Sequence, residues 1–334
     1  MASMKLKRAV LTVALLLAAV WSGNSFAEKS GSFTFVHISD VHVPSYLFAI
    51  GQSLDEATLM QMHNQQRLKQ LVEECLAMNP KPSFVINSGD TGDAGWTVLL
   101  RLYQKLMQPL VSARIPVYTA VGNHDLDYAG IGVQDIAEIF DPLGPSLIGR
   151  TGVRYSFEFG GCHFVFLNNR PVTGLIRLTP GDIEWLSNDL KGVKRDTRVL
   201  LFLHADMPEE DTSNVVELLQ PFTYPVIFQG HAHSESITMW GGVPVVVTGA
   251  LYGGKPEAGS YRVVTVQPDK ITVKTRDFAK PGGMYEQEKT IEFLQPGPQV
   301  HIISPKSNAA SRGSVSITAE TKPARQGSME YSVP

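Results

Sequence analysis

Apolar stretches of strand length recur along the chain. Five of them are followed directly by residues with imidazole, carboxylate or amide side chains. These stretches are rich in Val, Ile, Leu and Phe, as expected of strands buried inside a sheet. They run from Phe33 to Ile38, Phe84 to Ile86, Pro116 to Val121, Arg198 to Leu203 and Tyr224 to Phe228. Helical patterns lie between them, from Leu59 to Met78, Thr97 to Leu110, Val133 to Phe140 and Thr179 to Leu190. This alternation predicts an α/β fold.

Further strand patterns predict antiparallel pairs in the second half of the chain. Gly160 and Gly161 separate two short strand patterns, which is typical of a hairpin. A meander of short strands is predicted from Ile237 to Trp240, Val243 to Thr248, Tyr261 to Val266 and Ile271 to Thr275. We therefore expect two mixed sheets packed face to face, with the helices on their outer faces.

The first residues resemble a secretory signal peptide. Lys5, Lys7 and Arg8 precede an apolar stretch, and Ser25 and Ala27 are small residues at the positions that determine cleavage. The apolar stretch is shorter than the roughly 18 residues that span a bilayer, which disfavours the alternative of a membrane anchor. We expect a signal peptide over residues 1–27, cleavage after Ala27, a periplasmic or secreted protein, and no membrane anchor in the mature chain.

The net charge of the mature protein indicates whether nucleic acid is an expected partner. The chain has 29 basic and 32 acidic residues, and cleavage would remove three basic ones, leaving 26 against 32 and a net charge of −6. An acidic protein has no general electrostatic attraction to nucleic acid, so no nucleic-acid polymer is expected as a partner. The sequence does not predict an oligomeric state.

The α/β domain is predicted over residues 28–295, and the character of the chain changes after it. Residues 296–334 contain three strand-like pieces separated by Ser, Asn, Gly and Pro, with no helical pattern. They resemble the opening of an immunoglobulin-like β module, but three strands do not bury a sandwich core. A partial β module and a flexible tail are both compatible with this pattern.

Candidate metal ligands stand just past the ends of the five predicted buried strands, where ligand sites of α/β proteins collect. Imidazole, carboxylate and amide groups form a mixed nitrogen and oxygen set, which suits borderline metals such as Fe, Mn and Zn. Cys75 and Cys162 lie outside these segments, and Cys75 falls on an apolar helical stripe, so buried thiols are favoured over a disulfide. The candidate residues are Asp40, His42, Asp90, Asn123, His124, Asp125, His204, His231 and His233.

The ordered segments resemble the calcineurin-like metallophosphoesterases, which carry D-x-H, G-D-x-x-D, G-N-H-D/E, a lone His and G-H-x-H. The resemblance covers Ser32 to Phe278 and implies a four-layer α/β/β/α sandwich with a binuclear metal centre. It implies that Asp90 bridges both metals and that His124 donates a proton to the leaving group. It further implies one metal on Asp40, His42, Asp90 and His233, and a second on Asp90, Asn123, His204 and His231.

Other polar residues near these segments have alternative interpretations. Asp93 completes G-D-x-x-D, but an Asx turn that shapes the loop is equally compatible. Asp125 is expected to orient His124 or its loop, and His37 and His163 are expected to be satisfied histidines in or near the core. Asn168, Asn169 and Arg170 end a strand and are candidates to reach the substrate, although an arginine in a loop is more often merely solvated. Residues that either line a substrate pocket or serve packing are Tyr46, Phe48, Trp96, Asn169 and Tyr252.

The predicted activity is hydrolysis of a small-molecule phosphoester by direct in-line attack of a metal-activated hydroxide. The segments resemble the branch that contains class III cyclic-nucleotide phosphodiesterases, while a periplasmic phosphomonoesterase is the main alternative. A non-catalytic binding protein on the same fold is disfavoured because no ligand is missing. Asp206 stands near His204 where the family often has His-x-Pro, and its charge favours monoanionic diesters over dianionic monoesters.

Overall fold

The first of two six-stranded sheets contains the N-terminal strand. The computed structural model describes residues 31–43, 63–126, 133–144, 153–172, 175–252, 258–280, 285–292, 299–304, 316–322 and 329–332. The strands of this sheet are β1 (Phe33–Ile38), β2 (Val85–Asn87), β3 (Val117–Thr119), β12 (Ser260–Val266), β13 (Lys270–Asp277) and β14 (Tyr285–Glu292). Their order is β14-β13-β12-β1-β2-β3. Strand β1 pairs in parallel with β2 and β2 with β3, whereas β12 is antiparallel to both β1 and β13.

The second sheet is also mixed, with the order β10-β11-β9-β8-β5-β4. Its centre is parallel, because β8 pairs in parallel with β5 and with β9. The outer strands β4 and β10 are antiparallel to their neighbours. The strands are β4 (Tyr155–Phe159), β5 (Cys162–Phe166), β8 (Arg198–Phe202), β9 (Val226–Gln229), β10 (Ser236–Trp240) and β11 (Val243–Val247). A separate hairpin consists of β6 (Arg170–Val172) and β7 (Leu175–Arg177).

Aromatic side chains fill the space between the two sheets. Phe35 of the first sheet lies 6.0 Å from Phe164, 6.1 Å from Phe202 and 5.7 Å from Phe228 of the second, between ring centroids. Alternation along β1 places His37 on the same face as Phe35, and its ring lies 5.4 Å from that of Phe228. Large rings thus fill the space between the two sheets. Their packing fixes the position of one sheet against the other, so the ends of the central strands face each other.

Helices cover the outer faces and complete four layers. Apolar residues of the first three long helices pack on the outer face of the first sheet, and those of the last two on the second. A 3-10 turn (Asp141–Leu143) follows α4. The helices are α1 (His63–Ala77), α2 (Thr97–Ser112), α3 (Asn123–Leu126), α4 (Val133–Phe140), α5 (Pro180–Leu190) and α6 (Glu209–Leu219).

The structure confirms the predicted α/β/β/α fold and most of its elements. Cys75 and Cys162 are free and buried, as expected. Helix α6 and the hairpin β6–β7 were not predicted, and the predicted start of the first helix, residues 59–62, lies outside the described residues. No helix within the described part of the chain is long and apolar enough to cross a membrane.

The chain divides into two compact units, Met1–Ile291 and Glu292–Pro334. The second contains an antiparallel sheet of β15 (Gln299–Ser304), β16 (Ser316–Lys322) and β17 (Met329–Ser332), in the order β15-β16-β17. The predicted domain boundary after residue 295 stays a prediction. The predicted signal peptide, residues 1–27, lies outside the described residues.

Candidate metal centre

The candidate ligands meet above the carboxyl ends of the central strands of both sheets. Asp40 and His42 follow β1, and Asp90 follows β2. Backbone bonds align these two loops: the N–H of Asp40 donates to the carbonyl of Gly89 (3.0 Å), and that of His42 to the carbonyl of Asp90 (3.0 Å). His204 follows β8, and its carbonyl accepts from the N–H of Gly230 (2.9 Å), which leads into His231 and His233. The parallel strands thus deliver distant sequence segments to one place.

The first cluster contains Asp40, His42 and His233. The Nε2 atom of His233 lies 3.2 Å from Oδ1 of Asp40 and 3.1 Å from Nε2 of His42. The Nε2 atom of His42 lies 3.9 Å from Oδ2 of Asp90, so Asp90 adjoins this cluster. His233 is half exposed (50%) and Asp40 fully buried, so the cluster opens to solvent on the His233 side.

The second cluster contains Asp90, His204 and His231. The Nε2 atom of His204 lies 3.1 Å from Oδ2 of Asp90, and the rings of His204 and His231 are 5.1 Å apart. Asn123 begins α3, and its Oδ1 atom is buried without a hydrogen-bond partner. The structure therefore brings Asp90 beside both clusters, as a bridging ligand requires.

Most of the candidate ligands have a left-handed backbone. Asp40 (φ 53°), His42 (48°), Asp90 (52°), His231 (64°) and His233 (51°) all have positive φ. Positive φ is uncommon for residues other than Gly, and such strain concentrates at functional sites. These five residues are an unusual concentration of that strain.

Two glycines allow the loops to approach closely. A Cβ atom on Gly122 would lie 2.1 Å from Oδ1 of Asp90, and one on Gly230 would lie 1.6 Å from Oγ of Ser39 and 2.6 Å from Oδ2 of Asp40. Either contact is far below van der Waals distance. The glycines that precede Asn123 and His231 are therefore required by the packing of the site.

Buried polar atoms without partners fit a pair of metal ions. Oδ1 of Asp40, Oδ1 of Asn123 and Nε2 of His204 are all buried and have no hydrogen-bond partner within the part of the chain that the structure describes. His204 donates from Nδ1 to the carbonyl of Ser88 (3.0 Å), so in its neutral form Nε2 presents a lone pair to the Asp90 carboxylate. Two facing acceptors repel each other unless a cation or proton lies between them. Metal-binding histidines typically donate from the other ring nitrogen to a backbone carbonyl in this way, which fixes the orientation of the ring.

The site favours positive charge strongly. Burial by itself lowers the pKa of His42, but the Asp40 and Asp93 carboxylates outweigh it and raise that pKa to about 10. Burial likewise opposes protonation of His204, yet Asp90 raises its pKa to about 9. Although burial opposes ionisation of Asp40, the neighbouring imidazoles of His233 and His42 hold its pKa well below the usual range. The carboxylates thus require nearby cations, which two metal ions would supply.

His124 and Asp93 form a third group with His42. His124 donates from Nδ1 to the carbonyl of Asp93 (3.1 Å), and its backbone N–H donates to Oδ1 of Asp90 (2.9 Å). The Asp93 carboxylate lies 3.1 Å from Nδ1 of His42 and so orients a candidate ligand. Asp93 was open to two interpretations, an Asx turn that shapes the loop and a residue of the metal site, and the structure favours a place beside the site.

Asp125 holds the loops rather than facing the ligands. Its fully buried carboxylate accepts from the backbone N–H groups of Gly92 (3.0 Å) and Gly122 (2.9 Å). Burial, together with the negative charge of Asp90, raises the pKa of Asp125 to about 6. Asp125 therefore connects the loops after β2 and β3, and a direct catalytic contact is not part of this geometry.

Two supporting residues were recognised only incompletely from the sequence. Asn169 was a pocket candidate, but its Oδ1 accepts from the N–H of His204 (2.9 Å) and Ala205 (3.3 Å), which fixes the loop after β8. Asn64, at the start of α1, donates to the carbonyl of His42 and was missed. In the sequence Asn64 is one amide inside the predicted helix from Leu59 to Met78, which is too common a feature to single it out. Tyr46 and Phe48 lie outside the described residues.

The two histidines assigned to the core lie away from the clusters. His37 is buried between the sheets, and its Nδ1 lies 2.7 Å from Oγ1 of Thr248. Burial, aided by the charge of Arg262, lowers the pKa of His37 to about 3. His163 is buried near the edge of the second sheet, between Glu158 and Asp189. His163 is satisfied at both ring nitrogens, as expected. His37 lies in the core as expected, but its Nε2 atom is buried without a hydrogen-bond partner among the described residues, so that histidine is satisfied at one nitrogen only.

Several similar proteins are named as phosphatases or phosphodiesterases. Purple acid phosphatase 23 of Arabidopsis thaliana is 27% identical over 150 residues, which are 39% of this chain and only 31% of that protein. A probable cyclic nucleotide phosphodiesterase of Moraxella catarrhalis is 24% identical over 213 residues, covering 62% of this chain and 69% of that one. The crystal structure of a dimetal phosphatase from Danio rerio superposes with a TM-score of 0.58 at 17% identity, over 78% of this chain and 99% of that one.

The crystal structure shares the fold, and a family profile shows the relationship. The profile of the calcineurin-like phosphoesterases matches residues 33–235, which include all the candidate ligands. A match of this extent covers well over half of the chain. Together with the His and Asp clusters, it shows that this chain belongs to the calcineurin-like phosphoesterase family and is a metallophosphoesterase.

Proposed function

We propose that this protein hydrolyses a small-molecule phosphodiester at a binuclear metal centre. Asp40, His42 and His233 would hold one ion, and Asp90 would be shared with a second. That second ion would be held by Asn123, His204 and His231. The observation that carries this proposal is the set of buried, unpartnered ligand atoms that face one another at the ends of the central strands.

Two ions of the Fe, Mn or Zn type would attract the phosphate oxygens and lower the pKa of water toward about 7. The residues of the chain arrange this chemistry. Oδ1 of Asp90 accepts from the backbone N–H of His124 (2.9 Å), which ties the proton donor to the bridging carboxylate. Nδ1 of His124 donates to the Asp93 carbonyl (3.1 Å), so Nε2 is the ring atom left for the substrate. His124 is thereby oriented to protonate the leaving oxygen.

A diester is preferred over a monoester on grounds of charge. Asp206 follows His204 by two residues, and its side chain is exposed. Its negative charge repels a dianionic monoester more than a monoanionic diester. The phosphodiesterase among the similar proteins supports the same choice, while the phosphatases support a phosphomonoesterase as the second candidate.

Hydrolysis of bis-(p-nitrophenyl) phosphate and p-nitrophenyl phosphate by the metal-loaded protein tests this proposal. We expect the diester to have the higher kcat/KM. Asp206→Asn should raise relative activity on the monoester by about two- to fivefold, the range of a single exposed charge. Glu217→Gln, an exposed acid on α6, is the matched control and should leave the ratio unchanged. A strong preference of the unmodified protein for the monoester would refute the diester assignment.

We also propose that the mature protein is periplasmic or secreted and begins after Ala27. The support is the basic and apolar start of the chain, with small residues before the cleavage point. Mass spectrometry of the protein recovered outside the cytoplasm measures its first residue. A mature protein that retains Lys5 to Arg8 would contradict this proposal.

A further inference from the structure

Arg170 begins a short strand whose backbone lies near the loops of the metal centre. It begins β6 directly after Asn169, whose carboxamide binds the backbone N–H of His204 at 2.9 Å. Strand β6 also lies against α3, the short helix that carries Asn123 and His124. Arg170 is thus fixed between two loops that supply candidate ligands and the proton donor.

The guanidinium of Arg170 is only weakly engaged by the protein. Its ion pair among the described residues is with Asp182, at 3.8 Å between Nη1 and Oδ2, beyond hydrogen-bond distance. Oδ2 of Asp182 already accepts from the N–H (2.7 Å) and hydroxyl (2.5 Å) of Thr179, as the cap of α5. Its Oδ1 accepts from Arg154 (3.1 Å). Asp182 therefore has stronger partners than Arg170, whose N–H groups make no hydrogen bond shown for the described residues.

The residue opposite Arg170 in its hairpin differs from it in how far its charge is neutralised. Arg177 lies opposite Arg170 in the β6–β7 pair, and two like charges at opposed positions disfavour each other. Arg177 is neutralised by Asp211, through bonds of 2.9 and 3.0 Å, and by Glu210 at 2.8 Å. Among the described residues Arg170 has only the distant ion pair with Asp182, and one third of its side chain is exposed. An arginine whose charge is paired so weakly is suited to an oxyanion, which it binds through parallel N–H groups.

We propose that Arg170 binds a non-bridging oxygen of the phosphate group of the substrate. This rests on the proposed phosphoesterase site and adds a substrate-binding residue to it. Arg154 is the structural counterpart: it contacts the same Asp182 and also the carbonyl of Gly181 (2.8 Å). The two arginines contact the same carboxylate, so a comparison of their variants distinguishes a loss of substrate binding from a loss of structural support.

The experiment compares Arg170→Gln with Arg154→Gln in the metal-loaded protein. Loss of one charge-assisted contact should raise KM for bis-(p-nitrophenyl) phosphate by about 10- to 100-fold in Arg170→Gln. Its Tm should stay near that of the unmodified protein. Arg154→Gln should lower Tm and change KM less than twofold. Arg170→Lys, which keeps the charge but not the planar donors, should recover part of the loss.

Calorimetric titration with inorganic phosphate gives a readout that does not depend on turnover. Phosphate should bind Arg170→Gln at least tenfold more weakly than Arg154→Gln. The inference is overturned if Arg170→Gln keeps KM and phosphate affinity within twofold, or if both variants lose affinity and Tm alike. If the unmodified protein hydrolyses no phosphoester, the proposed function fails, and the phosphate titration still decides whether Arg170 binds an oxyanion.

Discussion

Replacement of His163 by Gln should flatten the dependence of stability on pH in a defined range. His163 lies in β5, and each ring nitrogen meets a carboxylate: Nδ1 lies 2.5 Å from Oε1 of Glu158 and Nε2 lies 2.7 Å from Oδ2 of Asp189. A carboxylate accepts and does not donate, so both contacts require the doubly protonated ring. Although burial opposes that charge, Asp189 and Glu158 outweigh burial and raise the pKa of His163 to about 9.

The magnitude follows from the difference between folded and unfolded states. The pKa is about 9 in the folded protein and about 6.5 in the unfolded chain, and this difference corresponds to about 3 kcal/mol. Glu158 is 64% exposed, so its share is screened by solvent, and we expect about 2 kcal/mol. The folded pKa is the higher one, so this stabilisation is complete below about pH 6.5 and is lost as pH rises through about 9.

Urea unfolding at pH 6 and pH 9.5 measures this effect in the metal-loaded protein. The unmodified protein should lose about 2 kcal/mol more than His163→Gln over that range. Other titrating groups are common to both proteins, so they cancel in the difference. Asp189→Asn should reproduce most of the flattening, and Glu158→Gln less of it, because Asp189 is more buried. Equal slopes for the unmodified protein and His163→Gln would refute the reasoning.

Three further predictions concern the metal centre. His124→Ala should keep both metals but lose about 100- to 10,000-fold in kcat, whereas Asp90→Ala should empty the site; metal analysis contradicts these roles if His124→Ala is metal-free. Gly230→Ala should lose metal because its Cβ would overlap a neighbouring hydroxyl, while Gly192→Ala, with open space around it, should keep its metal. With the metals removed by a chelator, the free energy of unfolding in urea should be about 1 kcal/mol higher for His231→Gly than for His231→Ala, because only Ala is strained at φ 64°. Equal free energies of unfolding would exclude such strain.

The strands of the site were predictable because burial leaves a direct trace in sequence. Two of the five runs show this well: Arg198–Phe202 and Val226–Gln229 are buried throughout, and all their residues except Arg198 and Gln229 are apolar. Helix α6 was missed, although Pro208 precedes Glu209, Glu210 and Asp211, a sequence typical of a helix start. The hairpin β6–β7 has strands of only three residues, too short for a periodicity to appear.

Contacts across the chain were much less accessible than elements. Nothing local distinguishes Asp93, which reaches His42, from an aspartate that forms only a turn. His163 was expected to be a satisfied core histidine, but its charge depends on Asp189, 26 residues away. Asn169 was a candidate for either the substrate pocket or packing, and its carboxamide contacts the loop of His204, 35 residues away. The sequence indicated which residue types gather at the strand ends, and tertiary packing decided which of them touch.

The backbone of the ligand loops explains why the site depends so strongly on its surroundings. Five of the six left-handed residues other than Gly in the described part of the chain are candidate ligands. At about 1 to 2 kcal/mol each, their strain amounts to about 5 to 10 kcal/mol, comparable with the net stability of a domain. Such a conformation persists only because the surrounding bonds determine it, among them the bond from the N–H of His231 to Oδ2 of Asp40 (2.8 Å). Metal binding then adds stability that the loops lack on their own, since an ion binds the folded arrangement and not the unfolded chain. The same residues that make the protein a metallophosphoesterase therefore make its metal-free form the less stable one.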